Sequence, residues 1–337
     1  MRGVKRFCGF LLGLVFLLSG FLKLMDPVGT GLIVEEYLKF FNTPFAIPVS
    51  KLLGMLLSLL EIILGAGLVA GVWHMEVGIA TGVLMAVFTT ITVILWIANP
   101  PMDCGCFGEA VHLTHFQSLV KNIVLLALWA LSFFLPGKEM PPKNIKYVSF
   151  FIAVFSALAF GYSSYIGIPA MDFIAFKPGA FLLQAGGGED APLLSVCDAE
   201  GEYRDEALAE GSVLVISAYD YDRLSSKNLQ NISDLRAAAQ HLGLSAPLVV
   251  TGEIPEGASY SSDRRTLMTL NRSNGGATLF RDGQLIAKWP VVKFPDEERL
   301  SELMSLDSAE AIVKENTPKR LKLQGFLLYV FAVLLLL

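Results

Sequence analysis

Residues 103–108, Asp-Cys-Gly-Cys-Phe-Gly, connect two long apolar runs and contain two of the four cysteines of the chain. The run before them, Val77–Ala98, ends at Asn99-Pro100-Pro101, and the run after them is Phe116–Leu135. Each run has about the 20 residues that a helix needs to cross the roughly 30 Å hydrocarbon core of a bilayer. The hexapeptide is therefore predicted to be a loop at the membrane surface that joins two transmembrane helices.

Three more apolar runs indicate a membrane protein: Phe7–Met25, Leu52–Trp73 and Tyr147–Ile168. The chain of 337 residues is 53% hydrophobic and 17% charged, with a mean hydropathy of +0.56, which is typical of a multi-pass membrane protein. No small-x-small cleavage site follows the first run, which is predicted to be an uncleaved helix. Between the first two spans, residues 26–51 are expected to form a mixed polar loop with a short helix over Val34–Phe41.

Positive charges predict the orientation of these spans. Lys and Arg cluster in Met1–Arg6 and in the connector Pro136–Lys146, and such clusters face the cytoplasm. Counting spans from there places the 26–51 loop, the 99–115 cysteine loop and all residues after 168 on the outer side. We therefore expect a protein of the cell inner membrane, with its N-terminus in the cytoplasm and its cysteine loop and soluble part in the periplasm.

The second half of the chain differs in charge. Residues 1–168 contain 10 Lys and Arg against 8 Asp and Glu, whereas residues 169–337 contain 16 against 23. The second half is thus predicted to be mainly a soluble, acidic body. No basic stripe with interleaved aromatic residues is present, which excludes nucleic acid as a partner. Residues 169–190 are predicted to be a linker. Their Gly186-Gly187-Gly188 is interpreted as a flexible spacer, because it lacks the Lys-Ser or Lys-Thr of a phosphate-binding loop.

The periodicity beyond the linker predicts an α/β domain. Its predicted elements are a strand Leu193–Cys197, a buried strand Ser212–Ala218, a helix Ser225–Leu242, a strand Ala246–Thr251, a hairpin of Gly276–Arg281 and Gln284–Trp289 around Asp282-Gly283, and an amphipathic helix Asp296–Lys314. This order resembles a thioredoxin-like fold over about Ala191–Asn316. The position of that fold's Cys-x-x-Cys motif falls on residues 218–223, which contain no cysteine, and Gly275-Gly276 stands where its cis-proline is expected. The resemblance implies a binding or docking domain without its own dithiol.

Cys104 and Cys106 lie on the oxidising side of the membrane if the predicted orientation holds, and disulfides persist there. A bridge across one residue closes a tight ring, and strained bridges are the more reducible ones; Gly105 gives the backbone freedom that such a ring needs. The alternatives are a structural loop staple or two unpaired thiols. A zinc site is a weaker alternative, because His112 and His115 could complete a tetrahedral shell but Cys-x-Cys is an unusual spacing for it.

Glu61 lies near the middle of the second span, where an ionisable group is costly unless it finds a partner inside the bundle. It is a candidate proton carrier or an acceptor for a bound head group. The structural alternative is a protonated carboxyl that hydrogen-bonds to Ser19 or Thr89. Lys23 and Asp26, at the outer end of the first span, are expected to snorkel or to pair at the membrane interface.

Three motifs in the first four spans match a known family. Residues 13–27, Gly-Leu-Val-Phe-Leu-Leu-Ser-Gly-Phe-Leu-Lys-Leu-Met-Asp-Pro, resemble the first-helix signature of DoxX-like membrane proteins, while Glu61–Gly65 and residues 103–108 resemble the methylamine-utilisation MauE branch of that group. The resemblance covers about residues 5–135. It implies a four-helix, redox-associated membrane protein linked to the maturation of a disulfide-containing periplasmic enzyme, with Cys104 and Cys106 as the redox pair. The fifth span and the appended domain depart from the family, so the resemblance does not imply that this protein takes part in methylamine utilisation.

Three functional hypotheses follow. The first is thiol–disulfide exchange with an extracytoplasmic client or redox partner, in which Cys104 and Cys106 are the catalytic pair of a thiol–disulfide oxidoreductase. The second is a non-catalytic membrane scaffold with a structural cysteine pair. The third is a bundle that binds a lipophilic molecule around Glu61, with a quinone as the candidate cofactor.

The predicted fold class is an α-helical membrane bundle, with a four-helix DoxX/MauE-like core and a fifth span, followed by a soluble α/β thioredoxin-like domain. The predicted divisions are 1–136 for the four-helix domain, 137–168 for a cytoplasmic connector and the fifth span, 169–190 for the linker, 191–318 for the extracytoplasmic domain, and 319–337 for a candidate C-terminal span.

Overall fold

The computed structural model describes residues 2–102, 104–136, 141–169, 174–188 and 191–336, without the side chains of Arg2 and residues 334–336. Asp103 of the cysteine motif and Lys138 of the connector lie outside the described residues. The chain forms two compact units. The first contains Met1–Tyr165 and Gln324–Leu337, and the second contains Ile166–Leu323.

Among the described residues, five helices of the first unit are long and apolar enough to cross a membrane. They are α1 (Arg2–Met25), α3 (Ser50–Ala70, preceded by a 3₁₀ turn at Pro44–Val49), α4 (His74–Ala98), α5 (His115–Phe134) and α6 (Asn144–Ile166). The five predicted spans are confirmed as apolar helices, and their length and composition identify a multi-pass membrane protein.

The segment between the first two spans is more helical than predicted. The short helix predicted at Val34–Phe41 is present as part of a longer helix, α2 (Pro27–Phe40), of 14 residues. The Asp26 carboxylate accepts a hydrogen bond from the backbone N–H of Gly29 at 2.9 Å, and a proline occupies the first turn. An Asp cap followed by proline is a strong helix start. The two residues that end α1 therefore also begin α2.

Helices α1 and α3 pack closely because small residues face each other. A Cβ atom added at Gly20 would lie 2.6 Å from the Ser58 carbonyl oxygen, and one added at Gly13 would lie 2.8 Å from that of Gly65. Small residues of this kind let two membrane helices bring their backbones together. The seam runs on both sides of Glu61 in sequence and turns this residue towards α1.

Helices α4 and α5 flank the cysteine loop and are joined by polar contacts. The Trp129 indole N–H donates to the Gly78 carbonyl at 2.7 Å, and Asn122 Nδ2 donates to Thr92 Oγ1 at 3.0 Å. Thr114 caps the start of α5 in a capping box. Between these helices the chain forms a short strand, β1 (Cys106–Glu109). The capping box fixes the end of the cysteine loop at which α5 begins.

The second unit contains a five-stranded mixed sheet in the order β4-β3-β2-β5-β6. Its strands are β2 (Ser212–Ala218), β3 (Leu248–Val250), β4 (Tyr260–Ser261), β5 (Gly276–Arg281) and β6 (Gln284–Trp289). Strands β2, β3 and β4 are parallel, whereas β5 is antiparallel to β2 and to β6. Asp282 and Gly283 join β5 to β6 with φ of 48° and 68°. Two successive positive φ values are what a two-residue hairpin turn requires, and the predicted hairpin is confirmed at both ends.

The helices and strands of this unit agree with the predictions only in part. They are α7 (Glu206–Ala209), α8 (Ser226–His241), α9 (Arg264–Leu270), α10 (Glu297–Ser305) and α11 (Ser308–Leu336), the last of which continues into the first unit. Helix α8 is confirmed, but α7, α9 and β4 were not predicted. The predicted strand Leu193–Cys197 is reduced to single bridges from Cys197 to Tyr203 and Ser261. The predicted helix Asp296–Lys314 is broken, because the Asp307 carboxylate accepts from the Glu310 N–H and starts a new helix.

The C-terminal apolar run lies within α11. Among the described residues this helix does not meet the length and charge criteria for a span, since Lys319, Arg320 and Lys322 precede or interrupt its apolar part. The sixth span therefore stays a prediction.

Candidate functional site

A cavity of about 130 Å³ in the first unit brings the predicted site residues together. It lies among α1 to α5 and the cysteine loop. Its polar lining consists of Ser19, Lys23, Thr30, Tyr37, Glu61, Thr92, Cys104, Cys106, Lys121 and Asn122. Phenylalanine and aliphatic side chains form most of the remaining wall. Glu61 and the two cysteines, which are far apart in sequence, thus face one enclosed space.

The two cysteine sulfurs lie 3.2 Å apart, and both are free thiols. Cys104 is buried, with 5% of its surface exposed, whereas Cys106 is partly exposed. Gly105 between them has φ of +63°, and a Cβ atom there would lie 2.3 Å from Ile33 Cγ2. Only glycine fits both this backbone conformation and the contact with α2. The close sulfur contact therefore depends on this residue.

Two helices hold the cysteine loop by its backbone. The Tyr37 hydroxyl of α2 donates to the Cys104 carbonyl, and Ser19 Oγ of α1 lies 2.8 Å from the Cys106 carbonyl oxygen. The Gly108 N–H also donates to the Gly105 carbonyl at 3.1 Å. These contacts fix the peptide groups on both sides of the turn while the sulfurs stay at the cavity.

The two thiols have opposite acid–base properties. The hydrogen bond from Cys104 and the ammonium groups of Lys121 and Lys23 lower the pKa of Cys106 to about 5, although burial acts in the other direction. The pKa of Cys104 is raised, because its thiol donates to Cys106 and because it is buried beside the Cys106 charge. At neutral pH the pair therefore contains one thiolate, on Cys106, and one thiol, on Cys104.

Glu61 is ion-paired inside the bundle. Its carboxylate lies 2.5 Å from Lys23 Nζ and 2.7 Å from Ser19 Oγ, and 1% of the Glu61 surface and 5% of the Lys23 surface are exposed. The predicted pairing of Lys23 is present, with Glu61 as its partner, because a carboxylate in an apolar bundle draws a counter-charge towards it. Asp26 is likewise buried, as the cap of α2. The Thr89 hydroxyl donates to a carbonyl of its own helix.

The two histidines of the loop do not join the cysteines. His115 Nε2 lies 3.1 Å from the Pro100 carbonyl oxygen, and the His112 side chain is exposed. The described residues contain no group of three or more His, Cys, Asp or Glu side chains placed to hold a metal ion. Nothing in this part of the chain supports the zinc alternative.

Sequence reasoning missed two members of the site, Lys121 and Tyr37. Lys121 lies within the fourth apolar run and, like Glu61, is an ionisable residue whose cost there marks it as a candidate. Tyr37 carried no such signal, because a tyrosine in the short helix predicted at Val34–Phe41 is not unusual. Ser19 was considered only as a partner of Glu61, and its contact with the cysteine loop could not be read from the sequence.

Residues 1–135 match the family model described as "Methylamine utilisation protein MauE". This match includes all the helices that surround the cavity and ends before α6. No curated protein and no solved structure matches the chain. The resemblance of the first four spans to the MauE branch is confirmed over this range, while the DoxX-like and thioredoxin-like resemblances stay predictions.

Proposed function

We propose that this membrane protein performs thiol–disulfide exchange outside the cytoplasm, with Cys104 and Cys106 as its catalytic pair. The observation that carries the proposal is the 3.2 Å contact between the sulfurs of a thiol and a thiolate at the wall of a cavity. Oxidation of the pair, which consists of one thiol and one thiolate, to a disulfide releases two electrons and one proton, and reduction takes them up. A client or redox partner protein is the other participant.

The proposal includes the predicted orientation in the inner membrane, because exchange with secreted proteins requires the cysteine loop on the periplasmic side. It also includes the predicted divisions and the DoxX-like origin of the membrane domain. Residues 191–318 are assigned to a thioredoxin-like docking domain. The support for this assignment is one sheet in which parallel strands β2 and β3, connected through α8, adjoin the antiparallel β5–β6 hairpin. This domain would hold the client or partner near the membrane.

A quinone is the proposed electron acceptor or donor within the membrane. An apolar cavity of about 150 Å³ can hold a benzene-sized ring, and the cavity here has about 130 Å³ and walls that include Phe16 and Phe88. Reduction of a quinone to a quinol takes up two electrons and two protons. The pair supplies both electrons and the Cys104 proton, and water supplies the second proton. The Glu61 and Lys23 side chains at the same cavity are the groups that would orient its oxygens.

The redox state of the pair in intact cells tests the exchange function. Cells are treated with an acid quench and a thiol-reactive mass tag, before and after a pulse of reductant. We expect the Cys104–Cys106 pair to change from a disulfide to two tagged thiols and to recover when the reductant is removed. Cys8→Ser and Cys197→Ser are the matched controls and should leave this cycle unchanged. A pair that stays in one state throughout contradicts exchange and favours the scaffold alternative.

The quinone part is tested separately. Purified reduced protein is mixed with a short-chain ubiquinone analogue, and quinone reduction is followed by absorbance. We expect reduction that depends on Cys106 and that slows in Glu61→Gln. Unchanged quinone reduction in Glu61→Gln contradicts the role assigned to this cavity but leaves the exchange function standing.

A further inference from the structure

We propose that Cys106 is the sulfur that forms the mixed disulfide with the partner protein, that Lys121 is a positioning residue whose ammonium group is held beside this part of the loop, and that Cys104 closes the pair. The inference rests on the proposed exchange function and assigns separate roles within it. It also adds a residue from α5 to the two cysteines of the loop.

The two cysteines differ in access. Cys104 has 5% of its surface exposed, and the Tyr37 hydroxyl holds its carbonyl against α2. Cys106 is partly exposed, and its carbonyl is held by Ser19 on the other side of the turn. To form a mixed disulfide with the oxidised pair, an incoming thiolate must approach one of its two sulfurs along the S–S axis. Cys106 has the larger exposed surface of the two and is the member assigned to this attack.

Lys121 is placed to act on Cys106. Its side chain lines the same cavity as Cys106, and its ammonium group lies 5.0 Å from the ring centre of Phe107, the next residue in the chain. A cation above an aromatic face is held there by the ring quadrupole. The other nearby ammonium, that of Lys23, is engaged with the Glu61 carboxylate at 2.5 Å. Lys121 is therefore the cation held beside the reacting loop, and its charge lowers the pKa of the Cys106 thiol.

The assigned steps balance in atoms and electrons. The Cys106 thiolate attacks one sulfur of a partner disulfide, that S–S bond breaks, and a partner thiolate leaves. Cys104 then gives its proton to the departing thiolate and attacks Cys106 Sγ, which breaks the mixed disulfide and releases the second partner sulfur as a thiolate. Two electrons pass from the pair to the partner. The reverse sequence oxidises a partner dithiol through the same mixed disulfide on Cys106.

The low pKa of Cys106 predicts a characteristic pH dependence. The titratable and charged groups that line the cavity with Cys106 are Cys104 in the loop, Lys23 on α1, Tyr37 on α2, Glu61 on α3 and Lys121 on α5. With a pKa of about 5, the thiolate fraction is nearly constant from about pH 6 to about pH 8. Removal of the Lys121 charge raises the pKa of Cys106. Its reactivity then rises with pH over this range instead of staying level.

Single-cysteine variants test the assignment. The full-length protein carrying Cys8→Ser and Cys197→Ser is purified in detergent with either Cys104→Ser or Cys106→Ser added. Each protein is reacted with glutathione disulfide, and the mixed disulfide is quantified by mass spectrometry. We expect the Cys104→Ser protein to form it at least about 10-fold faster at pH 7, because its remaining sulfur is the more exposed one and keeps the Lys121 charge nearby. An equal or faster reaction of the Cys106→Ser protein overturns the inference.

The role of Lys121 is tested by the pH profile in the Cys104→Ser background. The Cys104→Ser protein itself is the reference, because it lacks the hydrogen bond from the Cys104 thiol that lowers the pKa of Cys106. Relative to this reference, Lys121→Gln should move the rise of the rate to higher pH and lower the rate at pH 6 by about 10-fold, whereas Lys121→Arg should keep the reference profile because it keeps the charge. An unchanged profile in Lys121→Gln overturns the role of Lys121, and equal thermal unfolding of the two variants shows that both are folded. These outcomes are distinct from failure of the proposed function. A pair that never changes redox state in cells rejects exchange, whichever sulfur reacts with glutathione.

Discussion

At the scale of single residues, the Lys23–Glu61 pair places two opposite charges in the wall of the cavity. Both side chains are almost completely buried and lie 2.5 Å apart, with Ser19 as a third contact. Burying a charge pair costs desolvation that the mutual attraction only partly repays, but removing one partner leaves an uncompensated charge. Removing one partner should therefore lower the free energy of unfolding far more than replacing both side chains together.

This asymmetry gives the first prediction. Lys23→Met and Glu61→Gln should each lower the free energy of unfolding, by about 3–5 kcal/mol for the lysine variant, which leaves a carboxylate alone in the bundle. The double variant should be more stable than Lys23→Met. Unfolding in mixed detergent micelles measures these differences. Lys143→Met, at an exposed position, is the control and should change stability by less than about 0.5 kcal/mol. Additive losses in the double variant would show that the two side chains do not interact.

Only part of this arrangement can be predicted from the sequence. Glu61 stands out because charged residues are rare inside apolar runs. Lys23 does not, since a lysine near the end of a span ordinarily extends to the interface. Its inward position depends on the close approach of α1 to α3, which is a property of two distant segments. The thiolate on Cys106 depends in the same way on Lys121 of α5.

At the scale of helices, the glycine seam between α1 and α3 decides whether the cavity forms. Gly20→Ala should lower the free energy of unfolding by about 1–3 kcal/mol, because its methyl group would overlap the Ser58 carbonyl oxygen at 2.6 Å. It should also weaken the Lys23–Glu61 contact by moving the helices apart. Gly3→Ala in the same helix is the control, because no atom lies within 4 Å of its added Cβ. Unfolding in mixed micelles gives both values. Equal stability of the two variants would mean that the seam can open without cost.

At the scale of the loop, Gly105 and Gly108 separate backbone strain from steric overlap. Both have φ of +63°, but an added Cβ would lie 2.3 Å from Ile33 at Gly105 and no closer than 3.5 Å from any atom at Gly108. Each alanine variant should lose about 1–2 kcal/mol for the left-handed backbone. Gly105→Ala should in addition displace the turn and slow alkylation of Cys106, measured with iodoacetamide at pH 7. Similar alkylation rates in both variants would show that the α2 contact does not position the pair.

The predicted boundaries are right where a turn motif sets them and differ where a capping side chain sets them. The β5–β6 hairpin was predicted at both ends because Asp282-Gly283 alone specifies a two-residue turn. The first turns of α2 were missed because Asp26 was interpreted only as the end of α1. The break between α10 and α11 was missed because a continuous amphipathic pattern passes over Asp307, whose capping bond creates the new start. In these two places a short polar side chain, rather than periodicity, determined the boundary.

At the scale of the whole molecule, two units of different character belong to one chain. The composition predicted both, since apolar runs and a mixed α/β pattern occupy different parts of the sequence. The candidate site lies entirely in the first unit, within the residues that match the MauE model. The second unit contains one cysteine, Cys197, and it has no thiol at the position where a thioredoxin-like fold would carry its pair. Disulfide exchange as proposed would therefore use the cysteine pair in the loop between α4 and α5.

Orientation decides whether that chemistry takes place in an oxidising compartment, and it gives the last prediction. Lys and Arg in Met1–Arg6 and in the connector should hold both segments in the cytoplasm. Single cysteines are introduced into a Cys104→Ser, Cys106→Ser, Cys8→Ser, Cys197→Ser background, at Lys143 in the connector and at Glu253 in the second unit. A membrane-impermeant maleimide should label Glu253→Cys in intact spheroplasts, but Lys143→Cys only after the membrane is permeabilised.

The opposite labelling pattern would place the cysteine loop in the reducing cytoplasm, because α5 runs from that loop to the connector and the two must lie on opposite sides of the membrane. A disulfide across Cys104 and Cys106 would then be reduced by the glutathione pool in the resting state. Exchange with secreted proteins would be ruled out, although the positions of Cys106 and Lys121 at the cavity would be unchanged. Changing Lys143 and Lys146 together to Gln measures how strongly the connector fixes the orientation, since each removed charge weakens the cytoplasmic preference of the same segment.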